Sequence, residues 1–257
     1  MRKTNLKFGC EFEFSSSWEE VREAAKISIS RHYKKNLLFA KKDWFDSVHN
    51  TRWHLKTDSS TECELCTPVS SYGDIKRICA VVADLGKSKI KITANDSFHL
   101  HVDTGGVDPR KIVAAWMGIE KGIIKCFPRH RRHKYKSDSF CDQLIPHPNK
   151  SNVAKIFMQC YEYSVVNHHA VMSLFHYEER KTAELRIAEG TTDPDLVNNW
   201  IHFGLQFIKY AERIDPFDFL CRVPADMGVD EIIETVGIGR RHLREWVRDR
   251  YKKFRKK

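Results

Sequence analysis

The chain has 257 residues, a formal net charge of +10, 41% hydrophobic and 11% aromatic residues, which fits one large domain or a domain with an appendage and excludes a disordered chain. No apolar run reaches membrane-spanning length and the first residues lack the apolar core of a secretory signal, so a cytoplasmic protein is expected. The eight cysteines are scattered as in a reducing compartment, and the Cys63-Cys66 pair has neither a second pair for zinc nor the helix onset of a redox motif.

In chain order, residues 5 to 14 read as a strand. Ser17 and Glu20 form a capping box, and Trp18, Val21, Ala25 and Ile29 give a helical stripe to about residue 34. Residues 35 to 50 are irregular, 52 to 67 read as one or two strands, and 73 to 85 as a helix. The run SKIKITANDSFHLHVDTGG predicts a long strand or bulged pair ending in a Gly-Gly turn, after which Pro109 opens a helix to about 126. A helix around 150 to 161 leads into AVMSLFHYEERKTAELRIAEG, a hairpin with a polar turn. Asp193 and Pro194 start a helix to about 213 with Leu196, Trp200, Phe203 and Phe207 on its buried side. One last helix runs from about 228 to 252. Ten basic residues against Glu245 and Asp249 follow residue 239, a net +8, so the body is nearly neutral. A second basic cluster, Arg129, Arg131, Arg132 and Lys134, lies in a loop after Pro128. Such a tail either contacts nucleic acid or another anionic partner, or is a solvated helix with a frayed end.

Strands and helices interleave without a regular βαβ rhythm, which predicts an α+β fold with a mainly antiparallel sheet and helices on one face. The other face carries the informative residues. Alternation places Glu11 and Glu13 together in FGCEFEF, Ser60, Glu62 and Glu64 in SSTECELC, Ser97, His99, His101 and Asp103 in SFHLHVD, and Thr182, Glu184 and Arg186 in TAELRIAE. Any one of these alone is an ordinary solvent-facing strand. Four together select carboxylates, imidazoles and one arginine, and lysine is absent from them, although Lys56 lies just upstream. On neighbouring strands the carboxylates would crowd a patch that divalent cations neutralise. Carboxylate oxygens suit Mg²⁺ or Mn²⁺, imidazole tolerates Mn²⁺ or bonds phosphate, and Arg186 is a fork for a substrate carboxylate or phosphate.

These stretches, in this order and with WHLKTDSSTECELCTP and YSVVN between them, make the chain resemble the amidoligase family of carboxylate-amine ligases, related to glutamine synthetase and glutamate-cysteine ligase. The resemblance runs from residue 8 to about 195. It implies a curved antiparallel sheet whose concave face holds ATP and Mg²⁺ or Mn²⁺, and ATP-dependent amide formation through an acyl phosphate. By position it implies Glu11, Glu13, Glu64 and Glu184 as metal ligands, His99 near metal or phosphate, His101 nearer the nucleotide, and Arg186 on the substrate. Asp58, with Arg186 and His99, is assigned to catalysis, and Ser60, Ser97 and Asn167, with His101, to nucleotide binding. Two positions depart from the family pattern: Phe98 and Ser59 stand where glycine is usual, which would narrow the pocket or re-aim a loop.

The expected organisation is a catalytic domain over residues 1–225 and a basic helix or tail over 226–257. The expected partners are a small-molecule or peptide carboxylate and an amine, with nucleic acid or an acidic macromolecule on residues 240–257. Two other readings compete: a metal-dependent hydrolase using the same carboxylates and histidines, and a nucleic-acid-binding protein acting through its tail.

Overall fold

In the computed structural model, which describes residues 6–33, 39–40, 51–57, 63–132, 141–144, 152–222, 224 and 227–255, the chain forms two units. One is Met1–His101 with Ala188–Ile201 and the other is Val102–Ile187 with His202–Lys257. The described pairings are antiparallel apart from one two-residue parallel pair and an isolated parallel bridge between Asp142 and Ala170, and helices and strands are mixed, so the fold is α+β.

The first unit holds β1 (Phe8–Phe14), α1 (Trp18–His32), β2 (Phe39–Ala40), β3 (His54–Lys56), β4 (Cys63–Cys66), α2 (Ile75–Lys87) and most of β5 (Ser97–Asp103). Its strands lie in the order β2-β3-β4-β1-β5. Alternation gives them one apolar face, on which Phe8, Phe12, Phe14, Leu55, Leu65, Phe98 and Leu100 are buried. Phe98 stacks on Phe12 with ring centroids 4.9 Å apart. Phe98, which stands where the resemblance leads one to expect glycine, therefore fills the core, on the face opposite Ser97 and His99. Helix α1 starts at the expected capping box, where Glu20 N–H donates to Ser17 Oγ at 3.4 Å and Ser17 N–H to Glu20 Oε2 at 3.1 Å. It packs against α2, whose Ile78, Val81, Val82 and Leu85 form a continuous buried stripe.

The expected long strand before His99 is shorter than the apolar pattern suggested. Strand pairing begins only at Ser97, because the Asp96 carboxylate accepts from Ser15 Oγ at 2.8 Å and Thr93 Oγ1 at 3.1 Å and holds residues 93–96 in a turn. Such side-chain bonds compete with a strand ladder.

The second unit is built around α3 (Pro109–Ile123), which Asp108 caps and whose residues Ile112 to Glu120 are all buried. Around it lie α4 (Val153–Val166), the β6 (Met172–Ser173) and β7 (Thr182–Glu189) pair with α5 (Tyr177–Arg180) between them, α7 (Pro216–Arg222), α8 (Val229–Val236) and α9 (Arg241–Phe254). The predicted hairpin forms, but its polar turn is the short helix α5, ended by Lys181 in the left-handed region at φ 52°. Helix α6 (Pro194–Ala211) follows Asp193 as expected, with Leu196, Trp200, Phe203 and Phe207 buried.

The single last helix of the sequence reading is two. Gly237, at φ 69°, caps α8, and the chain turns before α9 begins. Helix α9 is docked rather than frayed: Arg250 Nε donates to Cys126 O at 2.8 Å with its guanidinium over the rings of Phe127, Trp246 and Phe254, and Arg132 Nη2 donates to Phe254 O at 2.8 Å. Arg241, Arg244 and Arg248 pair with Glu245, Glu234 and Asp230, which offsets part of the tail's charge.

At Gly122 α3 meets α8 closely: a Cβ there would lie 2.3 Å from Ile232 Cδ1 and 2.6 Å from Met227 O. Gly122→Ala is expected to destabilise the protein by about 1–3 kcal/mol, since the backbone carbonyl cannot give way as a side chain can. Urea unfolding at constant m-value checks this. Among the described residues no helix is long and apolar enough to cross a membrane.

Candidate functional site

The polar face of the first unit's sheet brings most of the expected residues together. The β1/β4 register sets Glu13 opposite Glu64 and Glu11 opposite Cys66, and the β3/β4 register sets Lys56 opposite Glu64 and His54 opposite Cys66. The first row is therefore Glu13-Glu64-Lys56 and the second Glu11-Cys66-His54. From β5, His101 Nε2 lies 3.2 Å from Glu11 Oε1, His99 Nδ1 3.5 Å from Glu11 Oε2, and His99 Nε2 3.6 Å from Glu13 Oε1. Glu13, Glu64, Ser97 and His99 are buried, and Glu11 retains 18% side-chain exposure.

This face is not neutralised as the sequence reading assumed. Lys56 belongs to it, with Nζ 2.9 Å from Glu64 Oε1 and 3.9 Å from Glu11 Oε1. The Lys56 ammonium thus supplies part of the positive charge that was assigned to metal ions alone. Burial pushes the Glu11 carboxyl up, but His101 and Lys56, with hydrogen bonds from His101 and His99, outweigh it and hold Glu11 well below the ordinary range. Glu64 goes the other way: burial first and the Glu11 charge second push it up to about 8, against the pull of Lys56.

A carboxyl raised in the folded state stabilises the fold fully at pH values below its unfolded pKa, and that contribution is lost as pH rises through the folded value. The metal-free protein is therefore expected to lose stability from about pH 5 to pH 8 and then to level off. Glu64→Gln should flatten this profile in thermal melts, and an unchanged slope would show that other groups set it.

The donor chemistry of this face, carboxylate oxygens with imidazole nitrogens, fits a divalent cation. Donor atoms of Glu11, Glu64 and Cys66 all lie within 4.8 Å of one another. Cys66 was not among the expected site residues. β4 sends Cys63 to the apolar core and Cys66 to the polar face, so the CxxC is not a chelating pair, and none of the eight cysteines is in a disulfide. Its parity with Glu64 was the signal in the sequence. Lys56 carried no comparable signal, because its place depends on the β3/β4 pairing.

The remaining expected residues are in the second unit or outside the description. Glu184 and Arg186 lie on one face of β7, both buried, and Arg186 Nη1 donates to Glu184 Oε1. Arg131, from the basic loop, is also buried and donates from Nη2 to the Arg186 carbonyl at 2.7 Å. Asn167 follows α4 in a turn, where its Oδ1 accepts from His169 N–H at 2.9 Å. Asp58, Ser60 and the departure at Ser59 lie outside the described residues.

A family model described as "putative amidoligase enzyme" matches residues 4–208, about four fifths of the chain and all of the strands named above. The chain belongs to this amidoligase family. The match covers both units' share of the expected residues and ends within α6, ahead of α7, α8 and α9. No curated protein matches the chain.

Proposed function

We propose that this amidoligase is an ATP-dependent carboxylate-amine ligase, with a catalytic domain of the glutamine synthetase and glutamate-cysteine ligase kind whose polar sheet face receives Mg²⁺- or Mn²⁺-ATP. The observation that carries the reading is the set of Glu13, Glu64 and His99, buried, with the part-buried Glu11 and His101, on one face of one sheet. It costs folding energy and serves no packing purpose. When bound, the divalent cation neutralises the ATP phosphates as they are approached by an anion.

In the proposed reaction a carboxylate oxygen of the acid attacks the γ-phosphorus and ADP leaves. The amine nitrogen then attacks the acyl carbon, inorganic phosphate departs, and the amine loses one proton. The protein's part in both steps is positioning and charge stabilisation. Glu11 is preset in the ionised form by His101, His99 and Lys56, so no proton need leave it before a cation is held. Arg186 holds the Glu184 carboxylate, which supports giving it a carboxylate-binding role. We assign Arg186 to the acid's carboxylate or the transferred phosphoryl group and Glu184 to metal, roles that require each to exchange the other for its ligand.

Arg186→Lys is expected to raise the acid's KM about tenfold or more while the KM for ATP changes little, because one ammonium cannot replace a planar fork. Steady-state kinetics in each substrate measures the split, and equal changes in both would remove Arg186 from acid recognition. The experiment that tests the reaction class is ADP release from MgATP across mixtures of carboxylic acids and amines, with mass spectrometry on the products. A ligase releases ADP only when acid and amine are both present and yields their condensed mass. A hydrolase on the same residues cleaves amides without ATP.

A further inference from the structure

We propose that α8 and α9 are a helix-turn-helix whose second helix enters the major groove of double-stranded DNA, with Arg241, Arg244, Arg248, Lys252 and Arg255 toward its phosphates and base edges. The inference does not rest on the ligase reading, and both helices lie beyond the residues that the family model matches. Only residues 237–240 join α8 to α9. Gly237 there takes the left-handed conformation at φ 69°, its N–H donates to Glu234 O at 3.1 Å, and Ile238 N–H donates to Ile233 O at 2.9 Å. A turn of this length closed by glycine is the connection that a helix-turn-helix uses. Ile232, Ile233, Val236, Ile238, Leu243 and Val247, from both helices and the turn, are buried. Helix α3 backs α8 as a third helix, so closely that Gly122 has no room for a Cβ beside Ile232.

The outward side of α9 is basic where packing does not require it. Positions 241, 244, 248, 252 and 255 advance by three or four residues, so they line one side of the helix. Leu243, Val247 and Arg250 are buried on the opposite side and hold the helix in place. Like charges at this spacing repel one another. Arg240 and Arg241 also stand at the helix's N-terminal end, where the first turn has no acid and the Arg240 side chain does not cap the backbone, against the helix dipole. Arg241, Arg244 and Arg248 meet Glu245, Glu234 and Asp230 in exposed ion pairs, which hold weakly in water and which phosphate can replace. A polyanion laid along this side relieves the repulsion and accepts from the N-terminal N–H groups. Shape selects duplex DNA among polyanions. The 14-residue helix α9 is about 21 Å long and about 10–12 Å across, which suits a major groove about 12 Å wide. The major groove of duplex RNA is too narrow to admit it.

The test uses the full chain and a fluorescein-labelled DNA duplex of mixed sequence, about 25 base pairs long, followed by fluorescence anisotropy from about 50 to 300 mM salt. Wild type should bind at the lowest salt with a Kd of about 1 μM or below, and log K should fall against log salt with a slope of about −4, as four or five phosphate contacts require. The double variant Arg241→Ala/Arg248→Ala should bind about tenfold or more weakly, with a slope of about −2. Lys26→Ala/Lys76→Ala removes the same charge from exposed positions of α1 and α2 and should change affinity less than about twofold. A second reading needs no variant: wild type should bind an RNA duplex of the same sequence about tenfold more weakly than the DNA. No DNA binding, whether or not phosphatidylserine vesicles are bound instead, overturns the inference. RNA affinity equal to or above that for DNA, or equal losses in the two double variants, overturns it too, by showing unspecific attraction of positive charge rather than a helix in a groove.

Discussion

Glu11→Gln should reduce MgATP affinity by roughly 10- to 100-fold and ADP formation by at least as much, while the fold survives. Glu11 is the hub of the candidate site: His101 Nε2 lies 3.2 Å from one of its oxygens, His99 Nδ1 3.5 Å from the other, and Lys56 Nζ 3.9 Å away. Glutamine keeps its volume and one acceptor oxygen but removes the charge that attracts a cation. The lost histidine contacts stay near a partly exposed position, where water can replace them. Calorimetric titration of MgATP beside a thermal melt measures both quantities. Wild-type affinity in a folded Glu11→Gln protein would take the nucleotide metal away from this face.

Lys56→Met should act in the opposite direction on metal. Without its ammonium, Glu64 keeps its buried place with Glu13 opposite and Glu11 nearby but can remain protonated, so the metal-free protein should be destabilised by only about 1 kcal/mol. The same loss makes the cluster more negative, and Mn²⁺ affinity should rise about tenfold or more, since two like charges no longer compete for one set of carboxylates. Added Mn²⁺ should therefore restore most of the lost stability, by linkage. Weaker Mn²⁺ binding in Lys56→Met would mean that the lysine helps to build the cation site rather than competing for it.

Much of the site could be read from alternation alone, because side-chain parity along a strand is a local property. Phe12 and Phe98 against Glu11, Glu13, His99 and His101 separated into two faces as expected, and the Ser17-Glu20 box placed the start of α1. What the sequence hid depends on pairing between distant segments. Lys56 counts as upstream of the acidic strand until the β3/β4 register sets it opposite Glu64. Cys66 looks like half of a CxxC until β4 turns its two thiols to opposite faces. Arg131 looks like one charge in a basic loop until its guanidinium is found on the Arg186 carbonyl. The long strand expected before His99 failed because Asp96 offers the backbone a turn, and the last helix divides because Gly237 adopts the left-handed conformation.

The most direct test of the central claim follows one oxygen. With the acid found to support ADP release, labelled with ¹⁸O in its carboxylate, an acyl phosphate must carry one labelled oxygen from the acid into inorganic phosphate. Phosphate with one ¹⁸O, formed only when the amine is converted to amide, is the predicted result. Label retained wholly in the acid and its amide, with phosphate oxygen drawn from water, would contradict ligation through a phosphorylated carboxylate.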